Sequence, residues 1–144
     1  MGVTNPVNTR NQLYTNISSD KILLGNNSFA ERTFGAYGTD MVIDAGTIVA
    51  RLPGSGEIVP WKADATDGTQ YPAGLLLEQL TVADGEKVDT TIVNKGKVAR
   101  EQIRFWYAGQ DFSSVVDNRR VEDWLLDLGL EIEAADELTE FDNS

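Results

Sequence analysis

From Met41 onward the chain consists of short apolar runs separated by turn residues, spaced at the ~8–12 residues expected of an antiparallel sandwich or barrel. Met41-Val42-Ile43 and Thr47-Ile48-Val49-Ala50-Arg51-Leu52 read as strands, with Pro53-Gly54-Ser55-Gly56 as the turn between sheet segments. Glu57-Ile58-Val59 returns, and Pro60 ends the pairing because proline has no N–H to donate to a ladder. Asp67-Gly68 marks a further turn, followed by Leu75-Leu76-Leu77 and then Val88 to Val93. Asn94-Lys95-Gly96 reads as a tight reversal, since Asn and Gly tolerate positive φ, with Lys97-Val98-Ala99 continuing as strand. One segment has helical periodicity instead: Val121, Trp124, Leu125 and Leu128 fall on one face at spacings of three and four. Asp117 or Asn118 is placed to cap a helix of ~3 turns and Gly129 to end it. After it, Leu130-Glu131-Ile132-Glu133 alternates like a strand with one buried face.

Residues 1–40 have a different texture, rich in Asn, Ser, Thr and Gly with small apolar clusters at Leu13-Tyr14, Ile17 and Ile22-Leu23-Leu24. Such a stretch buries too little to offset an ordering entropy of ~1–2 kcal/mol per residue by itself. It reads as an extended arm. Its short β-prone clusters suit addition to the edge of another sheet, where main-chain hydrogen bonds supply affinity and alternate side chains supply specificity. The reading therefore divides the chain into an arm, residues 1–40, and a β-rich domain, residues 41–144, with an acidic tail.

Charge excludes several functions. The 144 residues carry a formal net charge of −11 and a pI near 4.3, so a Lys/Arg grip on nucleic acid or an anionic membrane is disfavoured. Asp plus Glu against Lys plus Arg is 3 against 3 in residues 1–40, 8 against 6 in 41–100 and 12 against 3 in 101–144. The surplus lies in the last third, either as a solubilising tail or as a face that repels like subunits or meets a basic partner. With no cysteine and no histidine, disulfides, thiolate or imidazole metal sites and His-based nucleophile activation are all unavailable. The start of the chain lacks the cationic and apolar pattern of a secretory signal, and no apolar run approaches the ~20 residues of a membrane helix. A soluble protein made in a cytoplasm is expected.

Candidate sites have structural readings that compete with the chemical ones. The carboxylate pairs Glu122-Asp123, Asp136-Glu137 and Asp64 with Asp67 have glycosidase composition, but general acid work needs a desolvated carboxyl and no pattern singles one out. Asp64-Ala65-Thr66-Asp67-Gly68 lacks the remaining ligands of a calcium loop and reads as an Asx turn. Gly54-Ser55-Gly56 and Gly35-Ala36-Tyr37-Gly38 precede no P-loop Lys-Ser/Thr and read as turns. Trp61, Trp106 and Trp124, with Phe105-Trp106-Tyr107, offer either a sugar-stacking platform or core and subunit contacts, the latter being the commoner use. No catalytic residue, cofactor or metal is assigned.

Gly56-Glu57-Ile58-Val59-Pro60-Trp61, then Ala65-Thr66-Asp67-Gly68, then Ala73-Gly74-Leu75-Leu76 resemble, in order and spacing, the head decoration proteins of lambda-like tailed phages. The likeness continues through Thr90-Thr91-Ile92-Val93, Lys95-Gly96-Lys97-Val98 and Glu101, then an aromatic segment, a charged helix and a closing Ile-containing strand, over roughly residues 41–135. An arm of about forty residues and an acidic tail from Ala134 to Ser144 depart from the family's compact members. The resemblance implies a mainly β fold, a small β-barrel or β-tulip-like domain with one short C-terminal helix and an extended N-terminal arm. It further implies a homotrimeric cement protein on the outer surface of an expanded phage head, with the major capsid protein as partner and neither nucleic acid nor membrane. In that reading the arm orders on the shell, and Leu13, Tyr14, Ile17, Ile22, Leu23 and Leu24 are the capsid-binding residues. The alternative is a carbohydrate-binding or adhesin module on the virion that uses the aromatics.

The charge distribution makes the orientation of such a subunit testable. Deletion of Leu138 to Ser144 is expected to leave capsid binding intact, and added salt to strengthen it modestly by screening like-charge repulsion beyond a Debye length of ~8–10 Å. Titration onto undecorated particles at low and high ionic strength reads this out; binding that collapses with salt makes the acidic segment a contact surface.

Overall fold

The structure is a computed structural model that describes residues 22–134. Among these residues the fold is mainly β, as the strand spacing predicts. Its strands are β1 (Leu23–Gly35), β2 (Met41–Ile43), β3 (Ile48–Arg51), β4 (Ile58–Pro60), β5 (Pro72–Leu76), β6 (Leu80–Val82) and β7 (Lys87–Ala99). A short 3-10 turn at Arg100–Gln102 precedes the two-residue strands β8 (Val115–Val116) and β9 (Arg119–Arg120), the helix α1 (Val121–Leu128) and β10 (Leu130–Glu133).

The main sheet has the order β1-β4-β3-β5-β7-β10, and β1 also pairs with β7. The pairings therefore return on themselves through β1, β4, β3, β5 and β7, with the circuit narrowest where Phe34 lies opposite Ile58. Runs such as Ile48-Val49-Ala50 and Leu75-Leu76-Leu77 are buried residue by residue because both sheet faces are covered. Ile48, Ala50, Leu75, Val93 and Val98 face one cluster, completed by Trp61 and by Val121 and Leu125 of α1. Val49, Leu76, Ile92, Ile58 and Phe34 face a second cluster, closed by Met41, Ile43, Leu80 and Val82 of the antiparallel β2–β6 ribbon.

Three features differ from the sequence reading. The boundary at residue 40 is moved by β1, which pairs antiparallel with β7 from Leu23 opposite Val98 to Gly35 opposite Lys87. Leu23–Gly35 thus belongs to the sheet, with Phe34 and Ala36 fully buried. Next, Asn94-Lys95-Gly96 makes no reversal, because β7 runs straight through it with partners on both sides, Ser28 opposite Lys95 and Leu130 opposite Gly96. The irregularity that the Asn and Gly signal is a set of register shifts in β1 opposite this stretch. Gly96 has φ +101°, and a Cβ there would come within 2.5 Å of the Asn26 carbonyl oxygen. The Asn27 amide bridges the shift by donating to the carbonyls of Lys95 and Lys97 at 3.2 and 3.1 Å.

The third difference concerns α1. Asp117 and Asn118 both have positive φ, +50° and +65°, and form the tight turn of the β8–β9 hairpin, the backbone pattern of a type I′ connection. They are therefore not a helix cap. The residue before the helix is Arg120, whose side chain makes no capping bond, and the helix has eight residues, about two turns. Gly129 ends it as expected, in the left-handed conformation and with its N–H on the carbonyls of Leu125 and Leu126. On the predicted apolar face Val121 and Leu125 are buried, while Trp124 is half-buried. Trp124 donates its indole N–H to the Val116 carbonyl at 2.9 Å, which ties the helix to the hairpin.

Because β1 supplies one wall of the sheet circuit, a chain starting at Asp40 is expected to lack a cooperative unfolding transition. Phe34→Ala alone is expected to cost about 3–5 kcal/mol, the range for deleting a buried aromatic ring. Circular dichroism melts of both variants check this, and a truncated chain that melts like the full one restores the boundary at residue 40.

Candidate functional site

The sequence-predicted contact residues divide at the start of β1. Leu13, Tyr14 and Ile17 lie outside the described residues. Ile22 is buried at 1% exposure in the cluster that contains Val98, Leu125 and Leu130. It therefore anchors the entry to the sheet and offers no free contact. Leu23, half-buried, packs on the same cluster and lies opposite Val98, and Leu24 is half-buried beside it.

Beyond Leu23 the strand forms an open sheet edge. β1 uses one side for β7 along its whole length, but on the other side it pairs only at Phe34. From Leu24 to Thr33 its outer main-chain groups meet no strand among the described residues. A row of unpaired N–H and C=O groups is a template for strand addition. Phe29 stands on this strand half exposed, at 50%. The register shifts at its start and the charges of Glu31 and Arg32 bend and mark the edge, devices that discourage indiscriminate pairing. The opposite edge, β10, is four residues long and carries Glu131 and Glu133, the latter 3.9 Å from Lys97. Of the two edges, β1 is the long one and the one that residues 1–21 enter directly. Sequence reasoning assigned Phe29 to the arm, and no apolar alternation marks its strand, because the face that carries Ala30 and Phe34 is interrupted by the charged Arg32.

The far end of β1 is clamped. Glu57, 8% exposed just before β4, places one carboxylate oxygen 2.6 Å from the Lys87 ammonium at the start of β7. Its other oxygen accepts from the Tyr37 hydroxyl. Three segments, the β1 exit, β4 and β7, thus meet at one carboxylate. The hydrogen bond from Lys87, then that from Tyr37, holds the Glu57 carboxyl below its ordinary range. The same contacts raise Lys87 and Tyr37 above theirs.

The other candidates resolve individually. Trp61 is buried and donates to the Gln70 carbonyl at 2.7 Å, Trp106 packs on the second cluster, and Trp124 lies between Tyr71 and Arg119. They share no flat platform. Glu122 is held by Arg100 at 2.6 Å, and Asp123 lies 4.0 Å from Arg120. Asp67 accepts from the Thr69 hydroxyl and N–H at 2.6 and 3.1 Å, the Asx turn that the loop composition predicts. Asp136 and Glu137 lie outside the described residues. Among the described residues no cluster of His, Cys, Asp or Glu is arranged to hold a metal ion.

The family described as bacteriophage lambda head decoration protein D matches residues 25–114, well over half of the chain. The chain belongs to this family. It is accordingly a phage head decoration protein, a structural component of the virion capsid. The matched span begins inside β1 and runs through β7 to the loop before β8, so β1 from Gly25 onward lies within the matched part, Leu23 and Leu24 precede it, and α1 and β10 come after it. No curated protein matches the chain.

The clamp gives a pH dependence of definite sign. Glu57 has a folded pKa below its unfolded value of about 4.3, so its contribution to stability is fully present above that value and is lost as pH falls through the folded pKa. Denaturant midpoints measured from pH 7 down to about pH 3 are expected to fall more steeply for the native chain than for Glu57→Gln. Parallel acid limbs exclude the clamp as the cause.

Proposed function

We propose that this decoration protein binds the outer surface of the expanded phage head as a homotrimer and holds the shell against the pressure of packaged DNA. The observation that supports this reading most is the open outer edge of β1, continuous in sequence with residues 1–21. Leu13, Tyr14 and Ile17 in that segment, and the β1 edge around Phe29, are the groups proposed to meet the major capsid protein by strand addition. Ile22 and Leu23 serve the same end indirectly, by fixing where the segment leaves the folded domain.

One added strand is a weak bond. Three on one trimer act at high effective concentration, so the trimer binds far more tightly than any one arm. The clamp at Glu57 and the buried start at Ile22 hold β1 at both ends, so tension on the segment is passed to the sheet and not spent on unravelling it. The acidic surface keeps free subunits apart in the cytoplasm where they are made, while the shell supplies the complementary strands only after expansion.

The full chain is expected to co-sediment with expanded, undecorated capsids, and a chain lacking residues 1–21 to remain folded yet lose most of its binding. Phe29→Pro, which kinks the edge and crowds the residue before it, is expected to weaken binding without removing the arm. Retention of full binding by both variants overturns strand addition, and a monomeric solution mass at working concentration overturns the trimer.

A further inference from the structure

The aromatic triplet Phe105-Trp106-Tyr107 is divided by the fold. Phe105 turns into the first cluster, with its ring 6.2 Å from Trp61 and 5.2 Å from Phe112, and Trp106 packs on the second. Tyr107 goes to neither. Its ring lines two adjoining surface grooves of about 560 and 430 Å3, and Lys62 and Asp64 line both with it. The three form a ridge, with the Lys62 ammonium 5.5 Å from the Tyr107 ring centre.

The larger groove has an apolar floor of Met41, Leu52, Val59 and Pro60 and a second aromatic wall in Tyr37, which is 51% exposed. Its walls are fixed before any ligand arrives. The Tyr37 hydroxyl is held by Glu57, and Thr69 pins the Asp67 carboxylate. On the other side of the ridge, the Gln110 amide accepts from the Ala63 N–H at 2.8 Å and donates to the Trp61 carbonyl at 3.3 Å. By contrast, the side chains of Asp64 and Thr66 are exposed and make no hydrogen bond among the described residues. The grooves thus combine rigid aromatic and apolar walls with uncommitted donors and acceptors.

We propose that the paired grooves on either side of Tyr107 bind a neutral oligosaccharide. A sugar ring has one apolar C–H face for a tyrosine ring and a rim of hydroxyls for Asp64, Thr66 and the Lys62 ammonium. Two grooves sharing one aromatic ridge suit consecutive units of a chain. Asp64 and Asp67 on the rim of a protein with net charge −11 disfavour sialylated, sulfated or uronic sugars. An extended peptide fits less well, because Pro60 offers no N–H for main-chain pairing along the groove floor. This inference does not depend on how the subunit meets the capsid.

Saturation-transfer NMR on the full chain, with neutral hexose and N-acetylhexosamine oligosaccharides and with sialylated and sulfated ones, tests it. Transfer to neutral oligosaccharides is expected, with affinity about tenfold weaker in Tyr107→Ala, the loss of one aromatic contact, and nearly unchanged in Tyr107→Phe. Thr66→Tyr, which fills the larger groove from its exposed rim, is expected to abolish transfer and decides the matter if Tyr107→Ala fails to fold. No transfer to any neutral sugar, transfer only to anionic ones, or transfer unaffected by a folded Tyr107→Ala or Thr66→Tyr overturns the proposal.

Discussion

The antiparallel pairing of β1 with β7 is the interaction on which the remaining architecture depends. It joins residues more than fifty positions apart and extends from Leu23 opposite Val98 to Gly35 opposite Lys87. β7 also pairs with β5 and β10, so it is the only described strand with three partners. β1 closes the circuit by reaching Ile58 through Phe34. Without β1, the second cluster loses a wall and the Glu57 carboxylate loses the segment that carries Tyr37. The contacts are non-local, so loop-closure entropy opposes them until several form together, and the clamp and the buried Ile22 secure the two ends of the strand where fraying would begin.

How far the sequence disclosed this arrangement depended on whether local preference and tertiary role agreed. At Ile48-Val49-Ala50, Leu75-Leu76 and Thr90 to Val93 they agree: β-branched or apolar residues form strands that are buried on both faces, and the strands were legible. Leu130-Glu131-Ile132-Glu133 and the Gly129 stop were legible for the same reason. β1 was not, because Gly25-Asn26-Asn27-Ser28 has poor β propensity and none of the strand's residues before Phe34 is buried; it is held in the sheet by β7 and not by its own residues. Asn94-Lys95-Gly96 and Asp117-Asn118 show the same limit from the other direction. Both carry residues that tolerate positive φ, which marks a backbone irregularity but does not say whether it is a turn, a register shift or a cap.

Of the contact residues read from the sequence, Leu13, Tyr14 and Ile17 lie outside the described residues, and for Ile22 to Leu24 composition does not distinguish an apolar residue that waits for a partner from one already buried. Ile22 is of the second sort. The edge that adjoins it, with Phe29, was invisible because an edge is a property of the assembled sheet: it exists only where the neighbouring strand is missing. The tryptophans illustrate the converse, since all three have partners within the fold, and the aromatic of the 105–107 triplet that joins neither core cluster is Tyr107.

A subunit that binds by strand addition, as proposed, has to leave one sheet edge usable without allowing subunits to stack edge to edge, and the two open edges of the main sheet are treated differently in this respect. β10 is short and carries Glu131 and Glu133, so the same strand of a second copy meets it with like charge. β1 is long and nearly balanced in charge, with Glu31 beside Arg32, and is guarded instead by geometry: the register shifts between Leu23 and Phe29 make it a poor match for a straight strand of the same kind. Charge falls off with salt, whereas a bent edge does not. The division of labour therefore keeps the β1 edge selective at any ionic strength, and assigns the repulsion that salt can screen to the short β10 edge.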